Sequence, residues 1–92
     1  MISLDQRTPS ELAAELSARV RTRRKELGLS QERLAQKAQV SLGSLKRFES
    51  KHEISLQSLI KLAIALNAED DFNELFARRQ YRSIQDIIDS QK

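Results

Sequence analysis

Ninety-two residues suffice for one modest core and leave little room for a second independently folded domain. With 39% hydrophobic residues, 32% charged residues and no cysteine, the composition is that of a soluble domain without a disulfide framework. The longest apolar stretch, Leu62 to Leu66, is far too short to cross a bilayer, and Met1 to Pro9 carries no charged region followed by an apolar run, so no membrane partner and a cytoplasmic location are expected.

Charge is unevenly placed. Residues 1 to 18 and residues 52 to 92 each sum to -2, whereas Arg19 to Lys51 holds ten basic residues against Glu26, Glu32 and Glu49, a balance of +7. A basic run such as Arg19 to Lys25 is by itself an ordinary solvated helix face. A positive block of this size in the middle of a small domain has the form of a polyanion-binding face.

The elements are predicted in chain order. Thr8-Pro9-Ser10-Glu11 reads as a capping box with proline at the first helical position, opening a helix over residues 9 to 27. Leu12, Ala13, Leu16, Val20 and Leu27 form its apolar stripe, and Gly28 supplies the left-handed conformation that ends it. Ser30 caps a two-turn helix over 31 to 38 whose Leu34, Ala35 and Ala38 share one side. After a short break at Gln39 to Ser41, Ser41 caps a third helix over 42 to 50, with Leu45 and Phe48 pointing inward. Ser55 caps a fourth that ends at Asn67, with Leu56, Leu59, Ile60, Ala63 and Leu66 on one face and Leu62 and Ile64 off it. Asp70 caps a short fifth helix holding Phe72, Leu75 and Phe76. Ser83 and Asp86 make another capping-box pattern over an apolar stripe of Ile84, Ile87 and Ile88, a helix marginal alone. The expectation is an all-α, compact five-helix domain: residues 1 to 8 as an N-terminal arm, 9 to 78 as the domain, and 79 to 92 as a short amphipathic tail.

Between Gln31 and Glu49, apolar or small residues stand where two helices crossing at a steep angle need them: Leu34, Ala38, Val40, Leu45 and Phe48 in a shared core, and Ala35 where the approach is close. The short turn leaves the outer face of the third helix free to enter a major groove. Catalysis finds no support, because there is no cysteine nucleophile, a single histidine and only Gly28 and Gly43 as glycines. No enzyme, cofactor or metal site is expected. His52 reads as a turn residue or a phosphate neighbour, since a metal site needs several ligands at fixed spacing.

Through Arg24 to Gln31 (RKELGLSQ), Leu34-Ala35, Val40-Ser41, Phe48-Glu49 and Leu59 to Ala63 (LIKLA), the chain resembles the Cro and lambda-repressor-like (Xre) helix-turn-helix family over about residues 14 to 76. In two places it departs from the family pattern: Gln39 stands where glycine is usual in the turn, and Ser50-Lys51-His52 replaces a glycine-containing loop. The resemblance implies double-stranded DNA as the partner and a homodimeric repressor that lays its third helix in the major groove of a two-fold operator. It implies that Gln31 fixes register on the DNA backbone, that Leu42, Gly43, Lys46 and Arg47 face the groove, and that Arg24 pairs with Glu49. Lys46 and Arg47 can donate to guanine O6 and N7, Leu42 can cover a thymine methyl, and Gly43 offers only closeness of approach. Ser41 and Ser44 suit phosphates, and Arg24 and Lys51 complete the expected DNA-binding set. Leu75, Phe76, Tyr81, Ile84, Ile87 and Ile88 are the expected dimer or partner surface. From Phe48 to Leu75 the chain resembles the HipB-type branch, antitoxins that neutralise a HipA-like kinase and repress their own operon, which implies such a kinase as an alternative partner.

Overall fold

The computed structural model describes residues 6–79. Five helices follow one another: α1 (Pro9–Glu26), α2 (Gln31–Ala38), α3 (Leu42–Lys51), α4 (Leu56–Ala65) and α5 (Asp70–Glu74). Among the described residues no strand occurs, and no helix is long and apolar enough to cross a membrane.

A hydroxyl-bearing residue starts each of the first four helices. Thr8, Ser30, Ser41 and Ser55 accept the backbone N–H three residues on, from Glu11, Arg33, Ser44 and Ser58, at 3.0 to 3.1 Å. Each bond satisfies one of the amide groups that a helix start leaves unpaired. The Glu11 carboxylate does not return to the Thr8 backbone as a capping box would have it; it accepts from the Thr8 hydroxyl at 3.2 Å. α1 stops at Glu26, one residue before the expected end, with Leu27 as its C-cap and Gly28 at a φ of 70°. α3 runs one residue past Ser50.

Both departures from family glycines fall on left-handed residues. Gln39 has a φ of 58° and His52 a φ of 65°. At Gln39 the turn is closed by Val40 N–H donating to Ala35 O at 3.0 Å and Gln39 N–H donating to Gln36 O at 3.2 Å, the pairing of a left-handed helix end. A side chain in this conformation costs about 1 kcal/mol, which core packing must offset.

That core is built from Phe48, Leu34, Leu45, Leu62 and Leu66, with Ala35, Ala38 and Ala65 filling the close approaches. Each large side chain contributes about 1.5 to 3 kcal/mol by leaving water. α2 packs on both α3 and α4, and α1 packs on α3. α2 is therefore held on two sides, and its small residues permit the approach.

Three expectations are corrected here. α4 buries only part of the predicted stripe: Leu66 is in the core and Leu59 packs against it, but Leu56 is 64% exposed and Ile60 is also open to solvent, while Leu62, placed off the stripe, is fully buried. Gln57, Ser58 and Lys61 leave most of the helix circumference apolar, so contact with α2 decides which apolar residues turn inward. In α1, Leu16 and Val20 of the predicted stripe pack partly against the core, but Leu12 and the C-cap Leu27 are exposed and the fully buried residues are polar, Ser17 and Arg24. α5 is only five residues long; Glu69 occupies its N-cap without a side-chain bond, Asp70 lies in the first turn, and Leu75 and Phe76 fall beyond its end. Tyr81 and the stripe of Ile84, Ile87 and Ile88 lie outside the described residues.

Candidate nucleic-acid interface

α3 is amphipathic in a way that separates holding from reading. Leu45 and Phe48 are buried, with Leu42 packed partly against the same core, while Gly43, Lys46, Arg47, Ser50 and Lys51 are exposed. The inward residues fix the helix and leave its other side open to solvent. Leu42 is half-buried and packs in part against that core. Gly43 lies in open space: a Cβ built there would meet nothing within 4 Å.

α3 is held in place by a buried polar cluster. Arg24 Nε donates to Glu49 Oε2 at 2.8 Å and Arg24 Nη2 to Glu49 Oε1 at 3.1 Å, a two-pronged pair between α1 and α3. Arg24 Nη1 donates to Leu29 O at 2.8 Å, tying in the turn between α1 and α2. Gln31 Nε2 donates to Glu49 Oε1 at 3.0 Å, and Arg21 Nε stands 4.0 Å from the same oxygen. One carboxylate therefore gathers α1, the start of α2 and α3 into a single arrangement. Paired arginine and carboxylate groups with their lone pairs occupied are the condition under which buried charge is tolerated.

This geometry shows how the expected DNA-binding residues are engaged within the protein. Arg24 is buried with all three of its side-chain nitrogens bonded to Glu49 and Leu29 O, so it holds α3 against α1. Gln31 is half-buried and spends one amide N–H on Glu49; the amide carbonyl and the other N–H remain for a backbone contact. Ser41 is the cap of α3: its hydroxyl accepts from Ser44 N–H and donates to Ser44 Oγ at 2.7 Å. The Ser41 O–H is thus spent within the turn, whereas Ser44 Oγ only accepts and keeps its own O–H to donate.

A second bond couples α1 to the far end of α3. The hydroxyl of Ser17, buried, and His52 Nδ1 share a hydrogen bond of 2.9 Å, and His52 N–H donates to Phe48 O at 2.9 Å. His52 is accordingly a turn residue anchored to α1. Ser17 escaped the sequence reading because hydrophobic periodicity passes over serine. Its one signal was position, seven residues before Arg24 and so on the same face of α1.

Arg47 is paired on the open side. Its Nη2 donates to Glu53 Oε1 at 2.6 Å, with both side chains largely exposed. Arg23 turns away from this face, donating from Nε to Leu66 O at 3.2 Å and closing the end of α4. Arg19 and Arg23 also border an open groove of about 740 Å³, whose apolar walls are Leu16 and Val20 of α1, Leu59 of α4 and Phe72 of α5. Leu75 lies at the same groove, while Phe76, 95% exposed with a φ of 60°, stands in solvent.

The helix-turn-helix family model matches residues 20–72, more than half of the chain, and the matched span contains α2, the turn at Gln39 and α3 together. No curated relative matches.

Proposed function

Since the chain belongs to the helix-turn-helix family, whose members bind DNA and regulate transcription, we propose that it is a sequence-specific repressor that binds a two-fold operator as a homodimer. It does so with α3 in the major groove and acts in the cytoplasm. The observation that carries this reading is the division of α3: Leu45 and Phe48 are locked into the core, Glu49 is locked to Arg24, and Lys46 and Arg47 are left outside. A helix so braced presents cationic donors at fixed positions, as base-edge recognition requires. Lys51 and backbone amides at the starts of α2 and α3 supply phosphate contacts, with Gln31 setting register. Arg19 to Lys25 contributes field more than contact.

Selection from a random DNA pool, followed by footprinting, tests this reading. The expected result is a two-fold site with half-sites about one helical turn apart, roughly 10 bp. Its binding constant should fall linearly with salt on logarithmic axes. Protection without two-fold symmetry, or binding indifferent to salt, would count against it.

A second reading is favoured by a separate observation. Leu56, Ile60 and Ile64 recur every four residues along α4 and all face solvent, and Leu75 and Phe76 follow them. So much exposed apolar surface on one small domain has the character of an interaction face. In the homodimer reading a second copy covers it. In the antitoxin reading a HipA-like kinase covers part of it, and DNA binding serves autoregulation. A kinase-like gene beside this one, and co-purification of its product with the chain, would favour the antitoxin; a dimer indifferent to that product would favour the plain repressor.

A further inference from the structure

Arg47 and Glu53 are six residues apart, too far for neighbours on one helix, where partners stand three or four apart. They meet because the chain reverses between them. His52 takes the left-handed conformation at the end of α3, its N–H donates to Phe48 O, and its ring is bonded to the buried Ser17. Glu53, next in the chain, is turned back against the outer side of α3, where its carboxylate reaches the Arg47 guanidinium at 2.6 Å. Both side chains are more than half exposed, so the pair adds little to folding stability. Its consequence must lie elsewhere.

We propose that Glu53 is a specificity-determining residue of the DNA interface, positioning Arg47 for a base edge and weakening binding to DNA of arbitrary sequence. This rests on the reading above that Arg47 is a base reader. A free arginine side chain samples many rotamers, and most of that freedom is lost on docking to guanine. A carboxylate that holds one N–H of Nη2 restricts the side chain beforehand and leaves Nη1, Nε and the second N–H of Nη2 for O6 and N7. The same carboxylate is a fixed negative charge close to where phosphates must pass. It offsets part of the attraction of Lys46, Lys51 and Arg47 for any duplex, and that attraction carries no sequence information. Glu49 is not such a charge, because Arg24 and Gln31 enclose it. Glu53 thus lowers generic affinity and sharpens the choice of base through one residue.

The test uses the full chain with Glu53→Ala, Glu53→Gln, Arg47→Ala and the double variant Arg47→Ala/Glu53→Ala. Each is titrated against the selected operator, against the operator with single-base changes, and against a scrambled duplex of equal length. Glu53→Ala is expected to bind the scrambled duplex about 3- to 10-fold more tightly while its discrimination at one base position falls about fivefold or more, the low end of what one bidentate contact supplies. Glu53→Gln should gain the same generic affinity and keep part of the discrimination, since its amide oxygen still accepts from Arg47. In the Arg47→Ala background, loss of Glu53 should leave base preference unchanged. Equal tightening on every duplex with discrimination intact would overturn the inference. Unchanged base preference in Arg47→Ala would instead overturn the reading on which it rests, and the two failures appear in different variants. Coincident thermal unfolding of Glu53→Ala and the parent is expected, given the exposure of the side chain.

Discussion

Arg24 stands in the middle of a basic run, yet its surroundings are those of a core residue. Two of its nitrogens are taken by Glu49 and the third by Leu29 O, and the pair is almost completely withdrawn from water. Removing one partner leaves the other as an uncompensated buried charge, which costs about 3 to 5 kcal/mol. Arg24→Ala and Glu49→Ala should each lower unfolding stability in urea by about that amount, a large share of the roughly 5 to 15 kcal/mol available to a small domain. The double variant should lose less than the sum of the two, because the second deletion removes a charge already orphaned. Strict additivity would show that the pair does not act as a unit. Affinity for the operator should fall more than affinity for scrambled DNA in Arg24→Ala, since base-edge contacts need α3 at a fixed position whereas attraction to phosphates does not.

At the scale of the element, the starts of α1 to α4 were legible because a hydroxyl at the N-cap is a local signal, independent of what the helix later packs against. Legible too was the pairing of Leu45 and Phe48, whose helical spacing leaves one inward side. What escaped was set by distant contacts. Most of the α4 circumference is apolar, and only its contact with α2 decides that Leu62 turns inward while Leu56 turns out. α5 breaks after Glu74 even though Phe72, Leu75 and Phe76 have helical spacing, and the pattern alone contained no stop. The chemistry of the candidate interface was half legible: Lys46 and Arg47 were read as exposed donors, the Ser41 cap was a local signal and the Arg24–Glu49 pair came with the resemblance, but the bonds of Arg24 to Leu29 O and of Gln31 to Glu49 follow from three-dimensional proximity. Gly43 gives α3 its own prediction. It lies inside a helix with open space where a Cβ would be, so Gly43→Ala should raise stability by about 0.5 to 1 kcal/mol in thermal or urea unfolding. If α3 approaches DNA closely at that point, the same methyl should weaken operator binding. A variant that is more stable and binds as well as the parent would place Gly43 away from the groove.

For the molecule as a whole, a two-fold operator requires two recognition helices held at a fixed separation, and one copy of this fold supplies one. In the proposed homodimer association comes from surface outside α3, and five of the seven exposed large apolar side chains among the described residues lie on α4 and just past α5, Leu56, Ile60, Ile64, Leu75 and Phe76, the other two being Leu12 and Leu27. An isologous contact across a two-fold axis uses the same patch on both copies, so a single substitution acts twice. Ile60→Glu/Ile64→Glu places four carboxylates in a two-fold contact while touching nothing in the core formed by Leu34, Phe48 and Leu62. Exposed substitutions of this kind change folding stability by about 0.5 kcal/mol each. The variant is expected to stay folded by circular dichroism, to sediment as a monomer where the parent sediments as a dimer, and to bind a full operator no more tightly than a single half-site. Because the two half-sites bind as one tethered unit only in the dimer, the parent should prefer the full site over the half-site by about 100-fold or more at the same salt. A variant that remains dimeric would move the contact to the segment beyond Arg79, and one that unfolds would show that Ile60 and Ile64 carry more of the fold than their exposure indicates.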